Sequence, residues 1–281
     1  MKYHFLPRLS SMFAVWLLLV VWGLSAPQIG DLGNVLFLIL ISVPLSMSGA
    51  EAAFYRRHAF RNEYLIQPSW LHRLMGLEPL ILGIEIVKAL LLALLLMIGT
   101  VALSAREWAL LLLDVLVLSL LMPRMPALLY SSVKPTYLYA MSRRWAIWFS
   151  TLLLWGESVL ALALTRCDDY RALSWEDAVA YSAGPDTTPD ATGVVAIMRR
   201  IDSGAEGLAS WSSHQLLHAS SVDLAQTIVA TMTLISVLLM WFLLAWAYSR
   251  ALVGTLARVM AIWRPRPPRR EGRDVFDSWW L

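Results

Sequence analysis

The sequence predicts an all-α integral membrane protein: a bundle of six transmembrane helices with a small extracytoplasmic helical cap. Three observations predict this class. Hydrophobic residues make up 58% of the 281 positions and charged residues only 15%, a composition too apolar for a soluble domain of this length. Several apolar runs approach the ~20 residues that a helix needs to cross the hydrocarbon layer. Lys and Arg residues are also distributed unequally between the connecting segments.

This unequal distribution predicts the orientation, because Lys and Arg are retained on the cytoplasmic side whereas acids are nearly indifferent. With six spans and a cytoplasmic N-terminus, 17 of the 23 Lys and Arg residues are cytoplasmic, five are outside, and Lys88 is in the membrane. We therefore predict a multi-pass protein of the cell (inner) membrane with both termini in the cytoplasm. Its basic face should attract anionic lipid headgroups of the bilayer. No motif indicates nucleic-acid binding.

The first five predicted spans fall within residues 1–165 and the sixth within 222–249. They cover residues 12–27, 32–48, 80–103, 108–122, 145–165 and 222–248. Lys2 and Arg8 before the first apolar run resemble a signal peptide, but Leu24 and Pro27 are unfavourable for cleavage after Ala26. We therefore expect this segment to remain as the first span.

Two connectors lie on the predicted cytoplasmic side. Residues 51–79 mix Arg with aromatic and aliphatic residues and are broken by Pro68, which is typical of helices lying in the headgroup layer. A groove for a partner is the alternative interpretation. Residues 123–142 contain Pro123, Pro126 and Pro135, which predicts an irregular or broken helical turn.

The cap corresponds to residues 166–221. Ser174 and Asp177 form a capping-box pattern that predicts a helix near residues 175–181. Thr188 and Pro189 predict the start of a second helix, which we expect to stop at Gly204. A third helix should start near Leu208.

The tail, residues 250–281, is basic and Pro-rich and has an aromatic end. Apolar side chains at an exposed terminus are costly to solvate, so we expect them to dock on the membrane interface, the protein's own cytoplasmic face or a partner. The docking residues are Phe276, Trp279, Trp280 and Leu281.

Four ionisable residues lie inside predicted spans, namely Glu85, Lys88, Asp114 and Glu157. An ionised side chain near the bilayer centre costs several kcal/mol unless it is paired or hydrated. Lys88, Asp114 and Glu157 fall at similar predicted depth, and Glu85 shares a helical face with Lys88. The sequence therefore predicts one intramembrane charged cluster.

Three interpretations of this cluster remain open. In the first, Lys88 pairs with Asp114 or Glu157 and fixes the packing of spans. Alternatively, three acids against one base leave carboxylates that carry a proton or bind a cation, as in transport. The third interpretation is assembly with charged spans of another subunit.

His214 and His218 have the spacing that places two imidazoles on one helix face, which makes them weak metal-ligand candidates. Two ligands do not make a site, and we predict no bound metal and no cofactor.

Phosphate-binding loops, nucleophile elbows and multi-histidine motifs are absent from the sequence, so no catalytic residues are predicted. The single cysteine, Cys167, excludes a disulfide within the chain.

Two functions follow from these observations. The first is a non-enzymatic multi-pass subunit of a membrane protein assembly, with protein partners or further copies of itself. The second is a small secondary transporter or an ion- or proton-conducting protein that uses the intramembrane carboxylates. Transport requires the charged residues to line one solvated cavity, whereas a subunit allows them to be paired and dry, or exposed where a partner span would lie.

Overall fold

The structure is a computed structural model that describes residues 5–64, 78–133, 135–164, 173–183, 193–217 and 224–256. Within these ranges it contains nine α-helices, which we number in chain order. They are α1 (Phe5–Ser25), α2 (Gly30–Tyr64), α3 (Glu78–Thr100), α4 (Ala105–Leu121), α5 (Met125–Leu129), α6 (Pro135–Leu164), α7 (Trp175–Ala183), α8 (Val194–Leu217) and α9 (Leu224–Gly254).

In this described part, four helices contain stretches long and apolar enough to cross a membrane: Gly30–Arg57, Leu82–Thr100, Tyr137–Leu164 and Leu224–Gly254. A shorter apolar helix covers Leu9–Ser25. The chain is therefore a helical membrane protein. The prediction of an all-helical membrane protein is confirmed, but six spans are not, because length and composition select four helices among the described residues.

Helix α2 differs most from the prediction. The sequence places a span at residues 32–48 and a separate connector from residue 51, yet α2 continues without interruption to Tyr64 and has Pro44 inside it. The other connector is also more regular than expected. Pro126 stands in the first turn of α5 and Pro135 is the first residue of α6, where a missing N–H is tolerated.

The core lies where α1, α2, α3, α4, α6 and α9 meet, and its largest enclosed side chains include Trp22, Ile41, Leu45, Leu118 and Leu252. Small residues bring the helix backbones close together. They include Ala89 and Ala93 on α3 and Ala247 and Ala251 on α9, all of which are buried.

Helix α7 packs on α8, and α8 packs on α9. The predicted start of α7 after Ser174 is confirmed: the Asp177 N–H donates to Ser174 Oγ at 3.1 Å, and the Ser174 hydroxyl donates to Asp177 Oδ2 at 2.7 Å. The predicted stop at Gly204 and the new start near Leu208 are wrong, because α8 is one continuous helix. A Cβ at the nearby Gly207 would meet the Ala178 carbonyl oxygen at 2.7 Å, so this glycine permits close helix packing.

Helix α8 lies along α9 over a considerable length. Trp211 shares a pocket with Ala225 and Val229 near the start of α9, and Ile201 shares another with Val237 and Met240 further along the same helix. The polypeptide between α6 and α9 therefore forms helices that run beside the bundle. The side of the membrane on which they lie remains a prediction.

Candidate functional site

The buried acid of α3 connects three helices. Glu85 is 5% exposed. Arg250, near the end of α9, donates from Nη2 to Glu85 Oε2 at 3.2 Å and to the Leu45 carbonyl oxygen of α2 at 3.4 Å. The guanidinium group also lies over the Trp246 ring, 4.9 Å from its centroid. This Glu85–Arg250 pair thus joins α2, α3 and α9 through charge-assisted hydrogen bonds.

Gly49 of α2 provides the space for this pair. A Cβ placed on Gly49 would overlap the Arg250 guanidinium and the Glu85 carboxylate. At a second close approach, a Cβ on Gly254 of α9 would overlap the Pro44 carbonyl group of α2. Gly49 therefore leaves room for the ion pair beside α2, and Gly254 lets the backbones of α9 and α2 approach closely at Pro44.

A second buried pair lies nearby in the same bundle. Arg143 of α6 donates from Nη1 to Glu51 Oε2 of α2 and from Nη2 to the Val253 carbonyl oxygen of α9. Both charged side chains are buried. Breaking a buried pair leaves an uncompensated charge, which is strongly destabilising. The two pairs therefore connect α2 to α3, α6 and α9 at fixed points.

Lys88 is exposed, in contrast to these groups. Its ammonium donates to Glu85 Oε1 at 3.1 Å, as the predicted shared helical face requires, but its side chain is 55% exposed. The residues beside it on α3, Ile84, Val87 and Leu91, are exposed as well. Lys88 therefore lies on the outer face of a helix long and apolar enough to span a membrane.

Asp114 of α4 lies in a buried network of hydroxyl groups. The Ser150 hydroxyl of α6 donates to Asp114 Oδ2 at 2.7 Å, and the Ser150 and Ser249 hydroxyls share a hydrogen bond of 2.7 Å. The other carboxyl oxygen, Oδ1, has no hydrogen-bond partner among the described residues. Asp114 thus joins α4 to α6, and through Ser150 to α9, while its Oδ1 atom can still accept a hydrogen bond.

Glu157 lies apart from both groups. Among the described residues, its charged neighbours are Arg106 and Glu107. Both belong to the first turn of α4, where Ser104 and Glu107 form a capping box. Asp114 lies about two turns further along α4, roughly 10 Å away along the axis. The prediction of one four-residue cluster therefore needs correction: within the described structure the residues occupy three separate environments.

An acidic group surrounds the start of α4. Burial and the charges of Glu206 and Glu107 raise the pKa of Asp202 on α8 from 3.8 to about 7. Burial and Glu107 also raise the pKa of Glu206. Carboxyl groups in such surroundings favour the protonated form, because neighbouring negative charges and a low dielectric both oppose ionisation.

The histidine and tail predictions lie partly outside the described residues. His214 is buried on α8, whereas His218 and the tail residues Phe276, Trp279, Trp280 and Leu281 lie outside them. The part of the chain that is described contains no group of three or more His, Cys, Asp or Glu side chains arranged to hold a metal ion.

The two pockets of α7, α8 and α9, of about 280 and about 390 Å³, have mainly apolar linings and include none of the four predicted intramembrane charges.

Sequence reasoning missed Glu51, Arg143 and Arg250 because it assigned them to the aqueous cytoplasmic side. One signal was available in the sequence: Arg250 precedes Ala251, Leu252 and Val253 with no turn residue between them. Apolar residues that continue directly after a charged residue indicate that the helix continues and that the charged residue lies beside its buried face. Which residues pair with the three charges depends on how each helix is rotated about its axis, and hydropathy does not predict that rotation.

Comparison with protein-family models, with curated proteins and with solved structures gave no match. Functional inference for this chain therefore rests on its own residues and their contacts.

Proposed function

We propose that the chain is a non-enzymatic, multi-pass subunit of a protein assembly in the inner membrane. The observation that carries this proposal is the pairing of buried charges between helices, Glu85 with Arg250 and Glu51 with Arg143. Paired and enclosed charges fix the relative positions of helices, whereas a transport pathway needs charged groups that line a solvated cavity. The exposed Lys88 face adds a surface suited to a neighbouring span.

The proposed topology has six spans, with α1 and α4 crossing beside the four longer helices, and both termini in the cytoplasm. In this arrangement α7 and α8 belong to an extracytoplasmic cap that packs on α9. The basic cytoplasmic side attracts anionic lipid, and the aromatic end of the tail docks at an interface. These features give the subunit contact surfaces on both sides of the bilayer.

A small proton-conducting or cation-conducting protein is the second candidate, and the Asp114 network favours it. A buried carboxyl group linked to the Ser150 and Ser249 hydroxyls has the composition of a proton relay. Such a relay requires water to reach Asp114. The burial of this residue, which is 1% exposed, therefore weighs against conduction in the conformation described.

Asp114→Asn separates the two candidates, because it removes the ionisable group and keeps the size and hydrogen-bonding capacity of the side chain. Proton flux would be measured in reconstituted vesicles, and recovery of the native complex in detergent extracts. The proposed function predicts no proton flux above empty vesicles for wild type or variant. Wild-type flux that Asp114→Asn abolishes would contradict it and establish conduction.

A further inference from the structure

The face of α3 that contains Lys88 combines a positive charge with exposed apolar side chains. Ile84, Val87 and Leu91 are 42%, 59% and 64% exposed, and their spacing around Lys88 places all four side chains on one side of the helix. Apolar residues here are expected in contact with lipid, but an ammonium group in the same stripe is costly in hydrocarbon unless a partner reaches it.

The charges around Lys88 do not balance. Among the described residues, Glu85 is the acid shared by Lys88 and Arg250, one oxygen facing each cation. One negative charge between two positive charges leaves the group with a net charge of +1. Lys88 is the exposed member, so a balancing carboxylate from beyond the described residues would reach the group at the α3 face.

The depth of Lys88 favours a protein partner over a lipid headgroup. Lys88 lies ten residues after Glu78, the first residue of α3, or ~15 Å along the helix axis. It is also six residues inside the apolar stretch Leu82–Thr100. Six residues span ~9 Å along the helix axis, and the Lys88 ammonium is already held by Glu85. A phosphate group at the surface is therefore a poor match, whereas a carboxylate on a transmembrane helix meets Lys88 at its own depth.

A second copy of the chain is also a poor match. In a copy inserted with the same orientation, the accessible acids of the bundle helices, among the side chains that the structure describes, are Asp31, Glu107 and Glu157. Asp31 and Glu107 lie in the first turns of α2 and α4, and Glu157 lies beside Glu107. That end of the bundle is opposite to the one where Glu85 and Lys88 meet the last turns of α9.

We propose that the α3 face formed by Ile84, Val87, Lys88 and Leu91 binds a transmembrane helix of a different protein, which carries an Asp or Glu at the depth of Lys88. This inference rests on the proposed function, because it names the chemistry of a partner in the assembly. The carboxylate accepts a hydrogen bond from the Lys88 ammonium, and the apolar neighbours pack against the partner helix.

The test uses the full chain in its native membrane with a photoreactive amino acid in place of Val87. A matched control carries the same group at Leu152, which is 52% exposed on α6. Each probe is combined with wild-type Lys88, with Lys88→Met, which removes the charge and keeps the length, and with Lys88→Arg, which keeps the charge. Unfolding in detergent shows whether the Lys88→Met variant remains folded.

The Val87 probe should form an adduct with one partner protein, and the attached peptide should contain an acid within one helical turn. Adduct yield should fall at least about tenfold in Lys88→Met and remain near wild type in Lys88→Arg. An adduct with lipid alone, with a second copy, or with a helix that lacks an acid would overturn the inference.

The proposed function is tested separately. If the complex is recovered although the adduct fails, the proposed function stands. A chain extracted without any partner would overturn the proposed function itself. Should Lys88→Met fail to fold, the adduct of the wild-type chain and its peptide still decide the outcome.

Discussion

Gly49 shows how a single residue controls a buried ion pair. The Arg250 guanidinium and the Glu85 carboxylate occupy the volume that a side chain at Gly49 would fill. Gly83 of α3 provides the contrast, because a Cβ there meets no atom within 4 Å. Two glycines in helices of the same bundle thus have different reasons to be present, and only the first is explained by packing.

Gly49→Ala should therefore destabilise the protein by about 1–3 kcal/mol, the usual cost of overpacking a filled interior. Gly83→Ala is the matched control and should be neutral or stabilising by up to about 1 kcal/mol, because alanine favours the helix. Unfolding of both variants by SDS titration from mixed micelles measures the difference. Equal stability of the two variants would show that Gly49 is not packed against the ion pair.

The Glu51–Arg143 pair allows a separate test of coupling between helices. Glu51→Gln or Arg143→Met alone should lower the free energy of unfolding by about 3–5 kcal/mol, because each breaks a buried, charge-assisted contact between α2 and α6. The double variant should lose less than the sum of the two, since either single change already removes the shared contact. Additive losses in the same SDS titration would mean that the two side chains do not stabilise the fold through each other.

At the scale of elements, helix α8 was only partly predictable. Its apolar periodicity is visible in the sequence, but Gly204 predicts a stop and a new helix is expected near Leu208. In the structure the Gly204 position faces Val179 of α7 and the Gly207 position faces Ala178 and Ser182. Glycine in a helix can either end it or let a neighbour approach, and only the position of the neighbour distinguishes the two.

The acids of α8 make its packing sensitive to pH. Asp202 has a pKa of about 7 in the folded protein against 3.8 for the free side chain. Because the folded state binds the proton more tightly, this group contributes stability that is complete below about pH 4 and is lost as the pH rises to about 7. Glu206 acts in the same direction, and both carboxyl groups lie within the field of Glu107.

Amide protection of α8, corrected for the intrinsic exchange rate, should accordingly fall between pH 5 and pH 8. Asp202→Asn mimics the protonated side chain and should flatten this dependence. The control is Glu176→Gln, a substitution at an exposed residue of α7 that should leave it unchanged. A pH profile that is identical in wild type and Asp202→Asn would contradict the assignment of the effect to Asp202.

At the scale of the whole molecule, hydropathy and capping residues predicted where most helices lie, but not all of their ends and not the pairing of their side chains. The i, i+3 spacing of Glu85 and Lys88 predicted a shared helical face, and the two side chains contact each other on it. The pairing of Lys88 with Asp114 or Glu157, which one interpretation expected, is not found among the described residues. The contacts of Glu85 with Arg250 and of Asp114 with Ser150 join residues 165 and 36 positions apart. Such contacts depend on how helices rotate and cross, which composition and periodicity do not specify.

The function proposed for the whole molecule also extends beyond its own helices. Within the described residues, internal ion pairs connect the bundle helices, while Lys88 lies on the outer face and shares Glu85 with Arg250. The net charge of +1 around Glu85 is the feature that a neighbouring subunit would neutralise. Transport would instead use the interior, where Asp114 is enclosed.

The most direct measurement of this claim is the mass and composition of the chain extracted in mild detergent from its native membrane, determined by native mass spectrometry. We predict a particle well above the 31.6 kDa of the chain, containing at least one different membrane protein in a fixed ratio. Another tagged multi-pass protein extracted in parallel controls for contaminants. A particle that contains only this chain, at any number of copies, would contradict the account.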